Sequence, residues 1–342
     1  MNKTVVIFFI LFIALHPKAF SQIGFDQKET TEIKVDSVKK NSHVFCKKLE
    51  KHPIPFGRKY LRQRYNMPDT VSNSELFRRR ADEVMSTVFH DDSTLRKDVV
   101  LKEFDDSPSF GIYKNNYIIA GTTLTGRMGR FNSDAKIQFS ISQRLTNSVL
   151  PFRTYLFLTY SQLAFWDIFR ESFPFGDINF NPTIGLGKAL IYKNRFLGIT
   201  AFQVEHESNG KDEDYSRSWN KISLMSLFKI NKSVTLQMKI WLPLVDGQNN
   251  RDIAEYKGWG HMALDYNYKS KFNVGLVVTK RNTPNLSANI VANMSYRLFK
   301  NDNQYIFLEY YNGYGESLID YNQYHHRLRI GIVIKPNFLF IY

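Results

Sequence analysis

Three observations predict an all-β chain: a twelve-stranded antiparallel transmembrane β-barrel behind a partly helical N-terminal extension. From about Tyr113 to the end, apolar and polar residues alternate with a period of two, which sorts a strand into two unlike faces. The connections between these segments are short and long by turns, as in barrels that cross a membrane. Past the N-terminus no apolar window reaches the ~20 residues that a spanning helix needs, so a membrane would be crossed by strands.

The N-terminus carries Lys3, an apolar run from Val5 to Leu15 and the small-residue pattern Ala19-Phe20-Ser21. This predicts a signal peptide over residues 1–21 and hence export. The single cysteine, Cys46, cannot form an internal disulfide, so no covalent staple is expected. A formal charge of +14 suits nucleic acid, anionic lipid or lipopolysaccharide equally well. The export signal removes nucleic acid and leaves head groups at a membrane rim.

Residues 22–105 form a basic extension of mixed texture, predicted to be periplasmic and partly helical or disordered. Ser74 can cap a helix whose stripe is Leu76, Phe77, Val84, Met85, Val88 and Phe89, with Arg78, Arg79 and Arg80 expected on its solvated face. The barrel is assigned to 106–342.

Alternating segments are read at 113–127, 135–146, 153–168, 180–193, 196–208, 219–230, 234–244, 254–268, 271–282, 289–299, 303–312 and 323–335. In the seventh, Val234, Leu236, Met238, Ile240 and Leu242 alternate with Thr235, Gln237, Lys239 and Trp241. Ile137, Phe139 and Ile141 repeat the pattern near the start, and Leu328, Ile330, Ile332 and Ile334 near the end. Phe165, Trp166, Trp241, Trp259, Tyr310 and Tyr311 stand near strand ends, where interfacial aromatic girdles are expected. The chain finishes on aromatics, although Pro336 interrupts a clean final strand.

With both termini in the periplasm, the fifth segment runs outward and its following loop, 209–218, is extracellular. Phe202 and Val204 then share a lipid-facing side with His206 and Ser208, while Gln203, Glu205 and Glu207 point inward beside Arg327 and Arg329. Asn220 shares the outward face of the next segment with Ile222 and Leu224. Polar groups at such places are costly and therefore functional candidates. A Ser hydroxyl needs an imidazole to take its proton, and the imidazole needs a third group to fix its tautomer. Residues two apart on a strand stand about 6–7 Å apart on one face, within reach of rotamer adjustment. Backbone N–H groups from Ser208 to Gly210 could meet an oxyanion, Gly210 allowing close approach.

His206-Glu-Ser-Asn-Gly210 and Ser216-Arg-Ser-Trp-Asn220 together resemble the signature of the outer-membrane phospholipase A family. Gly313 to Asn322 is similar to that family's last extracellular loop, and Thr159 to Gln162 followed by Phe173 to Phe175 to its third strand and second loop. The resemblance covers about residues 105–342 and implies a twelve-stranded barrel active as a calcium-dependent homodimer. It implies Ser208 as nucleophile, His206 as general base and then acid, and Asn220 as orienting amide. It further implies calcium held by the Ser216 hydroxyl, the Lys211 carbonyl and, from the second subunit, Ser172, with Gln162 at the dimer interface. The expected reaction is hydrolysis of acyl esters of outer-leaflet glycerophospholipids at either acyl position, extending to lysophospholipids. Lys211 stands where an Arg is usual, and Asp212, Glu213 and Asp214 make the loop more acidic than the family pattern. A non-enzymatic barrel, porin or scaffold, and a lipopolysaccharide deacylase are the competing readings.

Overall fold

The computed structural model describes residues 58–72, 75–76, 79–80, 83, 96–126, 129–245, 247–269, 271–283, 285–299 and 303–335. The signal peptide, Cys46, most of the helix expected over 74–89 and the C-terminal aromatics lie outside these residues. Arg80 corrects one expectation: it is buried rather than solvated, with Glu83 and Glu103 at 3.1 and 3.0 Å from its guanidinium.

Helices α1 (Arg58–Tyr65) and α2 (Lys97–Asp106) precede the sheet. The strands are β1 (Phe110–Ile112), β2 (Asn116–Thr123), β3 (Ser133–Arg144), β4 (Tyr155–Trp166), β5 (Phe175–Tyr192), β6 (Arg195–Ser208) and β7 (Ser218–Lys229). They continue with β8 (Val234–Leu244), β9 (Gly260–Tyr268), β10 (Phe272–Lys280), β11 (Ala288–Arg297), β12 (Gln304–Gly313) and β13 (His325–Ile334). Each strand from β2 to β13 pairs antiparallel with its sequence neighbour, and β13 returns to β2, so twelve strands close a barrel and no edge is left. β1 pairs with the far part of β3 and continues the line of β2 after a break at 113–115.

The period of two sets the faces. Ile240 and Leu242 are 52% and 61% exposed, whereas Gln203 and Glu205, on the opposite phase, are 0% and 2% exposed. A band of bare aliphatic side chains outside and polar groups inside is stable in lipid, where it removes no apolar surface from favourable contact. The interior is filled. Lys136 reaches Glu309 at 2.7 Å and Glu316 at 3.1 Å, Arg329 reaches Asp134 at 2.7 Å, and Lys239 reaches Glu205 at 2.7 Å. Such pairs hold buried charge only because each cation meets a carboxylate.

Two caps finish the lumen. At the end carrying the short turns, Val100 and Phe104 of α2 pack on Tyr155, Phe157, Phe196 and Leu227. Arg144 ties the helix down by donating to the carbonyls of Phe104, Asp105 and Ser107 at 2.6–2.8 Å, acceptors that a helix end leaves open. At the end carrying the long loops, the connection between β12 and β13 folds inward, burying Leu318 and Tyr321 against Trp219 and Ile253.

Two expectations are corrected. Phe165, Trp241 and Tyr311 do not join an outer girdle: Phe165 and Tyr311 are buried inside, near the Lys136 ammonium, and Trp241 packs at the loop-end cluster. A cation over a ring face makes the inward position favourable for these aromatics. The eighth segment does not begin at 254. A short helix α3 (Ile253–Lys257) stands there, ended by Gly258 at φ +79, and the strand starts at Gly260.

Candidate active site

β6 and β7 leave the sheet at the loop end through residues 209–217, and their register places His206 directly opposite Asn220. His206 Nδ1 lies 2.8 Å from Asn220 Oδ1. A carbonyl oxygen only accepts, so Nδ1 carries the proton and Nε2 is left as the basic nitrogen. Ser208 stands two residues further along the same outward face, opposite Ser218. Neither the Ser208 hydroxyl nor His206 Nε2 has a hydrogen-bond partner among the described residues. Both are thus available to each other and to a ligand, and such contacts commonly tighten only in the substrate complex.

Asn209, which the sequence reading passed over, organises the hairpin. It is buried, its Nδ2 donates to the Tyr215 carbonyl at 2.9 Å, and its Oδ1 accepts from Arg217 N at 2.9 Å. The Asn-Gly pair was the available signal, because an Asx side chain followed by a left-handed Gly is turn chemistry. Gly210 has φ +66, and a Cβ there would come 3.0 Å from the Phe180 ring. Its N–H makes no hydrogen bond among the described residues.

Behind the outward face, the hairpin is clamped from the lumen. Glu207 accepts from Trp219 Nε1 at 2.9 Å, Lys221 Nζ at 3.0 Å and Lys257 Nζ at 2.9 Å. Asn250 pairs with both the N–H and the carbonyl of Ser218, the first residue of β7, beyond the last β7–β8 pair of Asn220 with Leu244. Asp177 and Asn179 of β5 accept from the backbone of Leu318 and Ile319, seating the inward loop. Within that loop, burial alone would raise the Glu316 carboxyl. The facing Arg329 and Lys136 charges outweigh it and hold the group well below the usual carboxylate range.

The remaining predicted residues fall as follows. Lys211 and Ser216 sit at the two ends of the acidic part of the loop, where Lys211 Nζ turns away to the Gly176 carbonyl at 2.9 Å. The Lys211 carbonyl and the Ser216 hydroxyl make no hydrogen bond among the described residues, so two hard oxygen donors of the kind calcium takes are uncommitted. Asp212, Glu213 and Asp214 are exposed. Ser172 lies exposed in the connection between β4 and β5 at φ +63, and no hydrogen bond joins it to Lys211 or Ser216. Gln162 is half-buried on the outward face of β4, opposite Phe139, and accepts from Tyr160 Oη at 2.9 Å.

The family model described as "Phospholipase A1" matches residues 104–334. The chain belongs to the phospholipase A1 family. Phospholipase A1 of Salmonella typhimurium is 28% identical over 277 residues, covering 75% of this chain and 93% of the relative. Phospholipase A1 of Escherichia coli K12 has the same identity and coverage. Among solved structures, the calcium-bound dimer of Salmonella typhi outer membrane phospholipase superposes with a TM-score of 0.60 at 25% identity, covering 68% of this chain and 95% of that one. The family match spans α2's last residues through β13, and so includes the whole closed sheet and both halves of the hairpin.

Proposed function

We propose that this member of the phospholipase A1 family hydrolyses acyl esters of glycerophospholipids in the outer leaflet of an outer membrane, using Ser208, His206 and Asn220. The observation that carries the assignment is the 2.8 Å contact between His206 Nδ1 and Asn220 Oδ1 on the lipid-facing side of the barrel, with Ser208 next along that face. His206 Nε2 takes the Ser208 proton as the hydroxyl oxygen attacks the ester carbonyl carbon. The Gly210 N–H, uncommitted and held by a left-handed backbone, meets the developing oxyanion. Collapse breaks the acyl C–O bond, and His206 returns the proton to the departing lysophospholipid oxygen. Water then attacks the acyl-enzyme with His206 again as base, releasing the fatty acid and restoring Ser208. A site opening sideways accepts an ester that never leaves the bilayer.

The Lys211 carbonyl and the Ser216 hydroxyl would hold calcium together with Ser172 from a second copy, making activity depend on pairing two barrels. Bound calcium would supply electrophilic stabilisation of the oxyanion. Gln162 lies on the outward face where one polar side chain can pair across two subunits. Residues 1–21 direct export, 22–105 form a periplasmic extension, and the loop end of the barrel 106–342 faces the outside. Ser208→Ala is expected to leave a folded, heat-modifiable barrel with no calcium-dependent release of fatty acid from phospholipid micelles. Full activity in that variant would remove the nucleophile assignment.

A further inference from the structure

The ladder between β5 and β6 has a gap beside the hairpin. Phe180 pairs with Ser208 and Thr183 with Glu205, but the intervening positions are not paired. The same register sets Pro182 opposite His206. Proline has no N–H to give, so the His206 carbonyl loses the donor that an ordinary residue would supply. The replacement is a side chain: Asn181 Nδ2 donates to the His206 carbonyl at 2.9 Å. A carbonyl directed at β5 also means that His206 faces β7 as a non-hydrogen-bonded pair, the class in which opposing side chains stand closest. This is the geometry that brings His206 and Asn220 to 2.8 Å.

We infer that Asn181 is a positioning residue for His206, fixing by its side-chain amide the backbone that Pro182 leaves untethered. Among the described residues it makes no hydrogen bond to the imidazole or to Ser208. It acts by setting where the His206 main chain stands between β5 and β7, and so how the ring meets Asn220. A half-buried acceptor left without a donor would move to find one, and small displacements of a base cost rate steeply. The inference rests on the phospholipase reading for its kinetic consequence, and on geometry alone for its structural one.

The test is a cycle on the full-length protein refolded in detergent with calcium: wild type, Asn181→Leu, Pro182→Ala and the double variant, each checked for a heat-modifiable barrel. Asn181→Leu keeps the shape and removes the donor, and Pro182→Ala restores a main-chain N–H opposite His206. Expected is a fall in kcat of about tenfold in Asn181→Leu with KM unchanged, and recovery to within about twofold in the double variant. Should Asn181→Leu fail to fold, Asn181→Ala, which also removes the donor, takes its place in the cycle. In parallel, imidazole ¹⁵N shifts of His206, assigned against His206→Gln, should report one tautomer in wild type, averaging in Asn181→Leu and a single tautomer again in the double variant. Activity in Asn181→Leu within twofold of wild type, or a double variant as impaired as the single one, would overturn the inference. If wild type hydrolyses nothing, or does so without Ser208, the functional reading fails and the tautomer arm alone decides the role of Asn181.

Discussion

Replacing Asn220 by Ala removes the side chain that, among the described residues, hydrogen-bonds the His206 ring, and on the proposed mechanism the size of the effect follows from what that contact becomes during reaction. In that mechanism, the contact before proton transfer is a neutral hydrogen bond, a class worth about 0.5–1.5 kcal/mol net. When His206 holds the Ser208 proton, the same 2.8 Å contact joins an imidazolium to a carbonyl, and bonds to charged groups are worth about 1.5–3 kcal/mol. The difference, about 1–2 kcal/mol, is felt only in the transition state and corresponds to about 5- to 30-fold in kcat. The freed ring also loses its tautomer lock, which moves the expectation to the upper end, about 30-fold. Substrate contacts are untouched, so KM should hold. The assay is the initial rate of fatty-acid release from mixed phospholipid micelles at saturating calcium, on protein whose barrel is verified by heat-modifiable mobility. A kcat within twofold of wild type, or a loss lying wholly in KM, would refute the role given to Asn220.

Glu316→Gln takes one carboxylate from between Lys136 and Arg329, which keep Glu309 and Asp134, so a loss of about 2 kcal/mol in the denaturant-unfolding free energy is expected rather than collapse. Because the folded Glu316 carboxyl is held below its ordinary range, its contribution is complete above that range and is lost as pH falls below it; wild type should lose more stability than Glu316→Gln between neutral pH and pH ~3. Gly210→Val should fold yet lose most activity, since a Cβ at φ +66 meets the Phe180 ring and the uncommitted N–H must move; unchanged kcat would show that this N–H does not meet the oxyanion. Chelation should abolish hydrolysis reversibly, and Ser216→Ala should raise the calcium concentration for half-maximal activity while excess calcium restores the rate; an unchanged calcium requirement would remove Ser216 from the ligand set.

Much of the candidate site could be read from local pattern. His206, Ser208 and Asn220 share the phase of Phe202, Val204 and Leu224, and an unbulged strand converts phase into face. Of the six aromatics expected in a girdle, Phe165, Trp241 and Tyr311 face inward because residue type and position near a strand end do not set a face, whereas phase does. Their phase was inward: Phe165 faces Lys136 across the β3–β4 ladder, and the same ammonium reaches Tyr311 of β12 only because the barrel closes. The helix α3 was hidden because five residues of a loop can mimic alternation, and only the left-handed Gly258 marks its end.

The alternation, the count of twelve barrel strands and the placing of three polar side chains on an apolar face were legible before any fold was known, because they depend on spacing along one chain. Closure of β13 on β2, the seating of Leu318 on Asp177 and Asn179, and the donation from Asn181 to His206 were decided only by the tertiary structure. Each joins segments whose relative register no local period specifies. The hydrophobic pattern says which way a side chain points, whereas the hydrogen-bond partners across a barrel say what it meets there, and only the second distinguishes an outward histidine from one held at 2.8 Å from its asparagine.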